Sequence, residues 1–141
     1  MQVDFYILEA ESAQQSLFYA CQLIEKAYQD QQKVYIHANS KEDAERLDNL
    51  LWTYKEDSFL PHQIYQETDY PPPIQIGTGN PPSDQQDLLI NLNHAIPSFY
   101  TQFKRVIEIV FADPNVQQLA RERFKQYRDQ GCLMNTFKIK S

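Results

Sequence analysis

The residues best suited to recognising a ligand lie near the carboxyl end, in the string Leu119-Ala-Arg-Glu-Arg-Phe-Lys-Gln-Tyr-Arg128. At about 100° per residue, a helix through this string brings Phe124, Lys125 and Arg128 within roughly 60° of Arg121. Val116, Leu119, Ala120 and Tyr127 fall on the far side, so the three cations face water with one aromatic ring among them. Guanidinium groups can grip a carboxylate through two parallel hydrogen bonds, and a neighbouring ring supports an apolar contact. This combination suits an acidic peptide, above all one ending in an aromatic residue and its terminal carboxylate. Single-stranded nucleic acid is the competing ligand, since bases stack on rings and phosphates seek Arg and Lys. A solvated helix with its bases near the negative end of the dipole would carry the same charges and bind nothing.

Catalytic patterns are missing elsewhere. A dinucleotide binder presents a glycine-rich turn after its first strand, whereas Glu9-Ala-Glu-Ser12 offers two carboxylates and no glycine. The turn Gly77-Thr-Gly-Asn80 lacks the spacing of either common phosphate-binding loop and runs into Pro81 and Pro82. His37, His62 and His94 are far apart, and none sits in an arrangement that would set two imidazoles on one helical face. Cys132 has no neighbours that mark an activated thiol, and Cys21 falls on an apolar helical stripe. Glu42-Asp43 and Glu56-Asp57 read as surface carboxylates. No catalytic residue, metal or cofactor is therefore expected. An enzyme of nucleotide metabolism on this frame would need the phosphate-cradling turn that is absent.

The elements that must hold these residues can be read from patterning. The 141 residues match one domain, 1–141, and 42% apolar content with nine Tyr, eight Phe and one Trp indicates a packed core. Thirteen bases against nineteen acids, a formal charge of -6, argue against coating duplex DNA by bulk positive charge. The balance is uneven. Residues 1–103 hold five bases and fifteen acids, and residues 104–141 hold eight bases and four acids. No stretch approaches the roughly 20 apolar residues of a membrane span, and the start MQVDFYILEAES lacks the pattern of a secretion signal, so a cytoplasmic location is expected.

Val3–Leu8, Lys33–Ala38, Asp87–Leu92 and Arg105–Phe111 are predicted strands, with a further short one at Ile74–Ile76. The polar run EAESAQQS opens a helix whose inner stripe is Leu17, Ala20, Cys21, Ile24, Ala27 and Tyr28. Ser40 with Asp43 forms a capping box before a second helix, faced inward by Ala44, Leu47, Leu51 and Tyr54. His94–Phe103 is predicted as a short helix. Asp113 and Pro114 are an N-cap and first helical residue for a last helix that stops near Gly131. The stretch from about 53 to 86 holds six of the eight prolines and reads mostly as loop. Strands alternating with helices predict a three-layer α/β domain with a mostly parallel sheet of about five strands.

The string Leu119–Arg128, together with Arg46-Leu-Asp-Asn-Leu-Leu-Trp52, Ser58-Phe-Leu-Pro-His62, Asp87-Leu-Leu-Ile-Asn-Leu92 and Phe5-Tyr-Ile-Leu8, resembles the chi subunit family of bacterial DNA polymerase III. The resemblance spans nearly the whole chain. It implies a Rossmann-like domain without the nucleotide-binding glycines, and a noncatalytic accessory subunit of the clamp loader. It implies two partners: the psi subunit, bound one to one, and the acidic carboxy-terminal tail of single-stranded DNA-binding protein, through which DNA is met only indirectly. Carried onto this sequence, the tail site comprises Arg121, Phe124, Lys125 and Arg128, with Tyr127 nearby in the same motif; Gln117 stands where relatives can carry a base. For psi, the matching pieces point to Trp52, Phe59, Leu60 and Pro61. The alternative function is direct single-strand binding by the same basic helix.

Overall fold

Ser12, Ser40 and Asp113 start the three helices by the same device, a side-chain oxygen accepting from the backbone N–H of Gln15, Asp43, or both Asn115 and Val116. The computed structural model describes residues 1–55, 59–68, 70–84 and 87–140. Glu56, Asp57 and Ser58, which figure in the sequence reading, lie outside the described residues. Among the described residues, the strands are β1 (Gln2–Leu8), β2 (Val34–His37), β3 (His62–Ile64), β4 (Ile74–Gly77), β5 (Leu88–Asn91), β6 (Arg105–Val110) and β7 (Leu133–Ile139). The helices are α1 (Ala13–Gln29), α2 (Lys41–Thr53) and α3 (Pro114–Asp129). They build one seven-stranded sheet, ordered β3-β4-β2-β5-β6-β1-β7, with each described strand pair parallel.

The expected α/β layering holds, but the strand count rises from about five to seven. Both additions are edge strands. β3 lies inside the proline-rich stretch and β7 follows Gly131, whose φ of +86° lets the chain turn back out of α3. Edge strands need little apolar surface, and β7, LMNTFKI, is exposed or half-buried throughout, which hides it from a search for hydrophobic runs. The helix expected over His94–Phe103 is reduced to a 3-10 turn at Tyr100–Gln102. Pro97 interrupts the segment, having no N–H to donate and disfavouring helical geometry at Ile96.

Alternation along the strands divides the core in two. On one face Leu8, Ile36, Ile76, Ile90, Ile107 and Ile109 pack under α1 and α2, against Ala20, Cys21, Ile24, Leu47 and Leu51. On the other, Val3, Phe5, Tyr35, Leu89, Val106 and Val110 meet Tyr100, Phe103, Ala120 and Tyr127. A buried aspartate of β1 ties that strand to both its neighbours: Asp4 accepts from Arg105 Nε of β6 at 2.6 Å and from Asn135 Nδ2 of β7 at 2.9 Å. The Gly77 turn also has a packing role. A Cβ there would run into the hydroxyl oxygen of Tyr35, which donates to the Gly79 carbonyl at 2.6 Å. Gly77→Ala is expected to cost about 1–3 kcal/mol by overpacking. Gly79→Ala, with nothing within 4 Å, should change stability by less than about 0.5 kcal/mol. Paired urea titrations check this, the two midpoints being expected to separate at a common slope.

Candidate functional site

α3 lies across β1 and β6 on the second face of the sheet, and its small Ala120 leaves a gap that the neighbouring rings do not fill. The result is a hollow of about 270 Å³. Phe5 and Ile7 of β1 and Val110 of β6 form its floor, Gln117, Ala120, Arg121 and Phe124 one wall, and Thr136 of β7 the opposite lip. The odd-numbered residues of β1 point this way because strand side chains alternate, and the parallel register puts Thr136 beside Phe5.

The sequence-selected residues fall into two groups. Arg121, Lys125 and Arg128 are exposed, as the helical spacing requires. Neither Arg121 nor Lys125 has an ion pair among the described residues, and Arg128 reaches only its neighbour Asp129, at 3.7 Å with both side chains 59% exposed. Phe124 is half-buried rather than open: its ring meets Phe5 edge-on, with centroids 5.2 Å apart. Tyr127 requires a correction as a contact residue. It is fully buried, and its hydroxyl donates to Glu108 Oε2 at 2.7 Å, so its side chain is turned away from any surface ligand.

A buried polar pair, Glu108 of β6 and Arg123 of α3, was not anticipated. Glu108, wholly buried on β6, takes Arg123 Nε on Oε1 at 3.1 Å and Asn91 Nδ2 on Oε2 at 2.8 Å, besides Tyr127. Burial pushes its carboxyl above the usual range, opposed by Arg123, Asn91 and Tyr127. Arg123 is 7% exposed and also donates to the His94 carbonyl at 3.0 Å. A signal existed: Arg123 lies at about 200° on the helical wheel, inside the apolar stripe, and Glu108 interrupts the apolar run RVIEIVF.

The residues selected for psi cluster at the far edge of the sheet. Trp52 and Phe59 are 54% and 69% exposed, with ring centroids 6.0 Å apart. Trp52 also covers the buried ring of His62, at 4.5 Å. Pro61 is half-buried beside them. Leu60 requires the second correction: at 3% exposure it belongs to the core under α2 and supplies no surface.

Other chemistry-bearing groups serve the interior. No cluster of His, Cys, Asp or Glu suited to a metal occurs among the described residues. Burial raises the Cys21 thiol to about 12, which keeps it protonated. His37 closes β2 against Phe99, with centroids 5.1 Å apart, and its buried Nδ1 has no hydrogen-bond partner among the described residues. Desolvation lowers its pKa from 6.5. Above that value both folded and unfolded states are neutral. Below it the unfolded chain takes up the proton first, so stability falls as pH drops. Stability should fall as the pH drops below about 6.5, and His37→Phe should flatten the acid limb of a denaturation series.

Fold and site together define an α/β domain of the Rossmann-like class with an apolar hollow lined by Arg121, while Lys125 and Arg128 stand on the same exposed helix face. The model of the family described as "DNA polymerase III chi subunit, HolC" matches residues 1–135, and the chain belongs to that family. It is 38% identical over 137 residues to DNA polymerase III subunit chi of Pseudomonas aeruginosa, covering 97% of this chain and 96% of the relative. The subunit chi of Haemophilus influenzae is 37% identical over 134 residues, covering 94% and 93%, and that of Escherichia coli 30% over 138 residues, covering 94% of each. Among solved structures, T4 UvsW superposes with a TM-score of 0.70 over 99% of this chain and 41% of its own, at 8% identity, which bears on the fold alone. Membership makes the chain a DNA polymerase III subunit. No helix among the described residues is long and apolar enough to cross a membrane.

Proposed function

We propose that the hollow beside α3 captures the acidic carboxy-terminal tail of single-stranded DNA-binding protein, while the Trp52–Phe59 ledge docks the psi subunit. The chain then acts, in the cytoplasm and without catalysis of its own, as the accessory subunit that ties the clamp loader to coated lagging-strand DNA. The observation that carries this reading is the hollow itself. At about 270 Å³ it offers more volume than the roughly 150 Å³ cavity known to admit benzene, which supports a terminal phenyl ring as its occupant. Arg121 stands at its rim, with Lys125 and Arg128 farther along the same helix face. A terminal carboxylate and preceding aspartates would meet these cations.

The position of Phe124 favours peptide over nucleic acid. Stacking needs an open ring face, whereas this ring is half-buried against Phe5. Exposed ion pairs contribute only about 0–1 kcal/mol each and are screened by salt. One tail should therefore bind at about micromolar Kd, several tails on one partner compensating through effective concentration. Calorimetry with a short aspartate-rich peptide ending in Phe is expected to show binding that weakens with added salt. Replacing the terminal Phe by Ala should abolish it. Equal affinity for both peptides, or tighter binding of an oligonucleotide at the same salt, would refute the reading.

A further inference from the structure

We infer that Glu108 is the positioning residue of the α3 receptor face, setting the rotation of the helix about its axis and with it the shape of the hollow; this rests on the peptide-capture reading above. Packing and hydrogen bonding both bear on that rotation. The inward apolar side chains of α3 are Ala120 and Tyr127, both buried, with Val116, Leu119 and Phe124 partly so, and the rings of Phe124 and Tyr127 meet Phe5 edge-on. Apolar contacts are non-directional and tolerate small rolls. Directional hydrogen bonds do not.

Arg123 and Tyr127, one turn apart on the inward face, donate to the two oxygens of a single carboxylate, Arg123 Nε to Oε1 at 3.1 Å and Tyr127 to Oε2 at 2.7 Å. Glu108 cannot swing to follow them, because Asn91 of β5 donates to Oε2 at 2.8 Å while also holding the Ala95 carbonyl at 3.2 Å. The Arg123 guanidinium is held from its other side by the His94 carbonyl, at 3.0 Å. Arg121 and Phe124, which wall the hollow, flank Arg123 in the same turn. A roll of about 20° at a side-chain radius of about 5 Å would move them by nearly 2 Å, enough to close or splay the gap against Phe5 and Thr136.

A buried ion pair replaced as a set by apolar groups of similar volume often leaves stability unchanged, which separates positioning from folding. The test is the triple variant Glu108→Leu, Arg123→Met, Tyr127→Phe, which leaves no charge buried alone and lets Asn91 keep Ala95. Its readouts are the Tm, the nuclear Overhauser contacts between the Phe5 and Phe124 rings, affinity for the aspartate-rich peptide ending in Phe, and co-purification with psi. The expected result is a folded protein that retains psi, shows altered ring contacts and binds the peptide about tenfold more weakly at a temperature far below its Tm. A folded variant with native ring contacts and native peptide affinity would overturn the inference. If the triple variant fails to fold, Tyr127→Phe decides, with about threefold weaker binding and shifted ring contacts expected; no change in either overturns it. A parent chain that does not bind the peptide removes the capture reading, and the ring contacts still decide the positioning.

Discussion

Reversing two charges, Arg121→Glu with Arg128→Glu, is expected to weaken binding of the acidic peptide about a hundredfold while leaving the Tm unchanged. Both side chains are exposed, Arg121 has no ion pair among the described residues, and the Asp129 contact of Arg128 is long and solvated. Neither side chain therefore supports the fold. Removing an exposed cation forfeits only a modest attraction, whereas substituting an anion sets like charges against every aspartate of the ligand. The loss should shrink at high salt, because what is lost is attraction between exposed charges. Filling the hollow acts differently. Ala120→Leu should depress affinity at every salt concentration, since it removes the space for the phenyl ring and leaves the cations in place. Calorimetry of the two variants across a salt series distinguishes them, and parallel salt curves would contradict the division of labour between rim and hollow.

The second large effect concerns the other end of the sheet, where neighbouring residues should behave oppositely. Phe59→Ala is expected to cost about 2 kcal/mol or more in psi affinity, as a large aromatic anchor does when truncated, with a stability change within about 0.5 kcal/mol. At 69% exposure the ring contributes little to the interior. Leu60→Ala should do the reverse, costing about 2–5 kcal/mol of stability through the cavity left under α2. Denaturant titration alongside psi co-purification separates these outcomes. A Phe59→Ala chain that unfolds early yet retains psi would reassign the ledge to the core.

How far these features could be read without coordinates follows from how local their causes are. The caps at Ser40 and Asp113 depend on a few adjacent residues, and the stripes of α1 and α3 on a fixed helical period, so both were legible from spacing. The short helix expected over His94–Phe103 did not form because Pro97 outweighs the apolar spacing around it. Phe124 and Tyr127 show the limit at the site. Their angles on the helix were correct, but an angle does not reveal what lies opposite: Phe5 comes from the first strand, far away in sequence, and Glu108 from the strand just before the helix, whose alignment under it no helical period encodes.

By itself, the order of residue types determined the layering, the helix ends and the solvent-facing cations of the last helix, because each arises from near neighbours along the chain. Only the tertiary structure decided that β7 completes the sheet beside β1, that Glu108 and Arg123 meet in the interior, and that a gap opens over Ala120. The hollow joins residues from the first strand, the sixth and the seventh with one helix. Its shape depends on sheet order and on side-chain volumes that meet across the fold, and these are quantities no local period encodes.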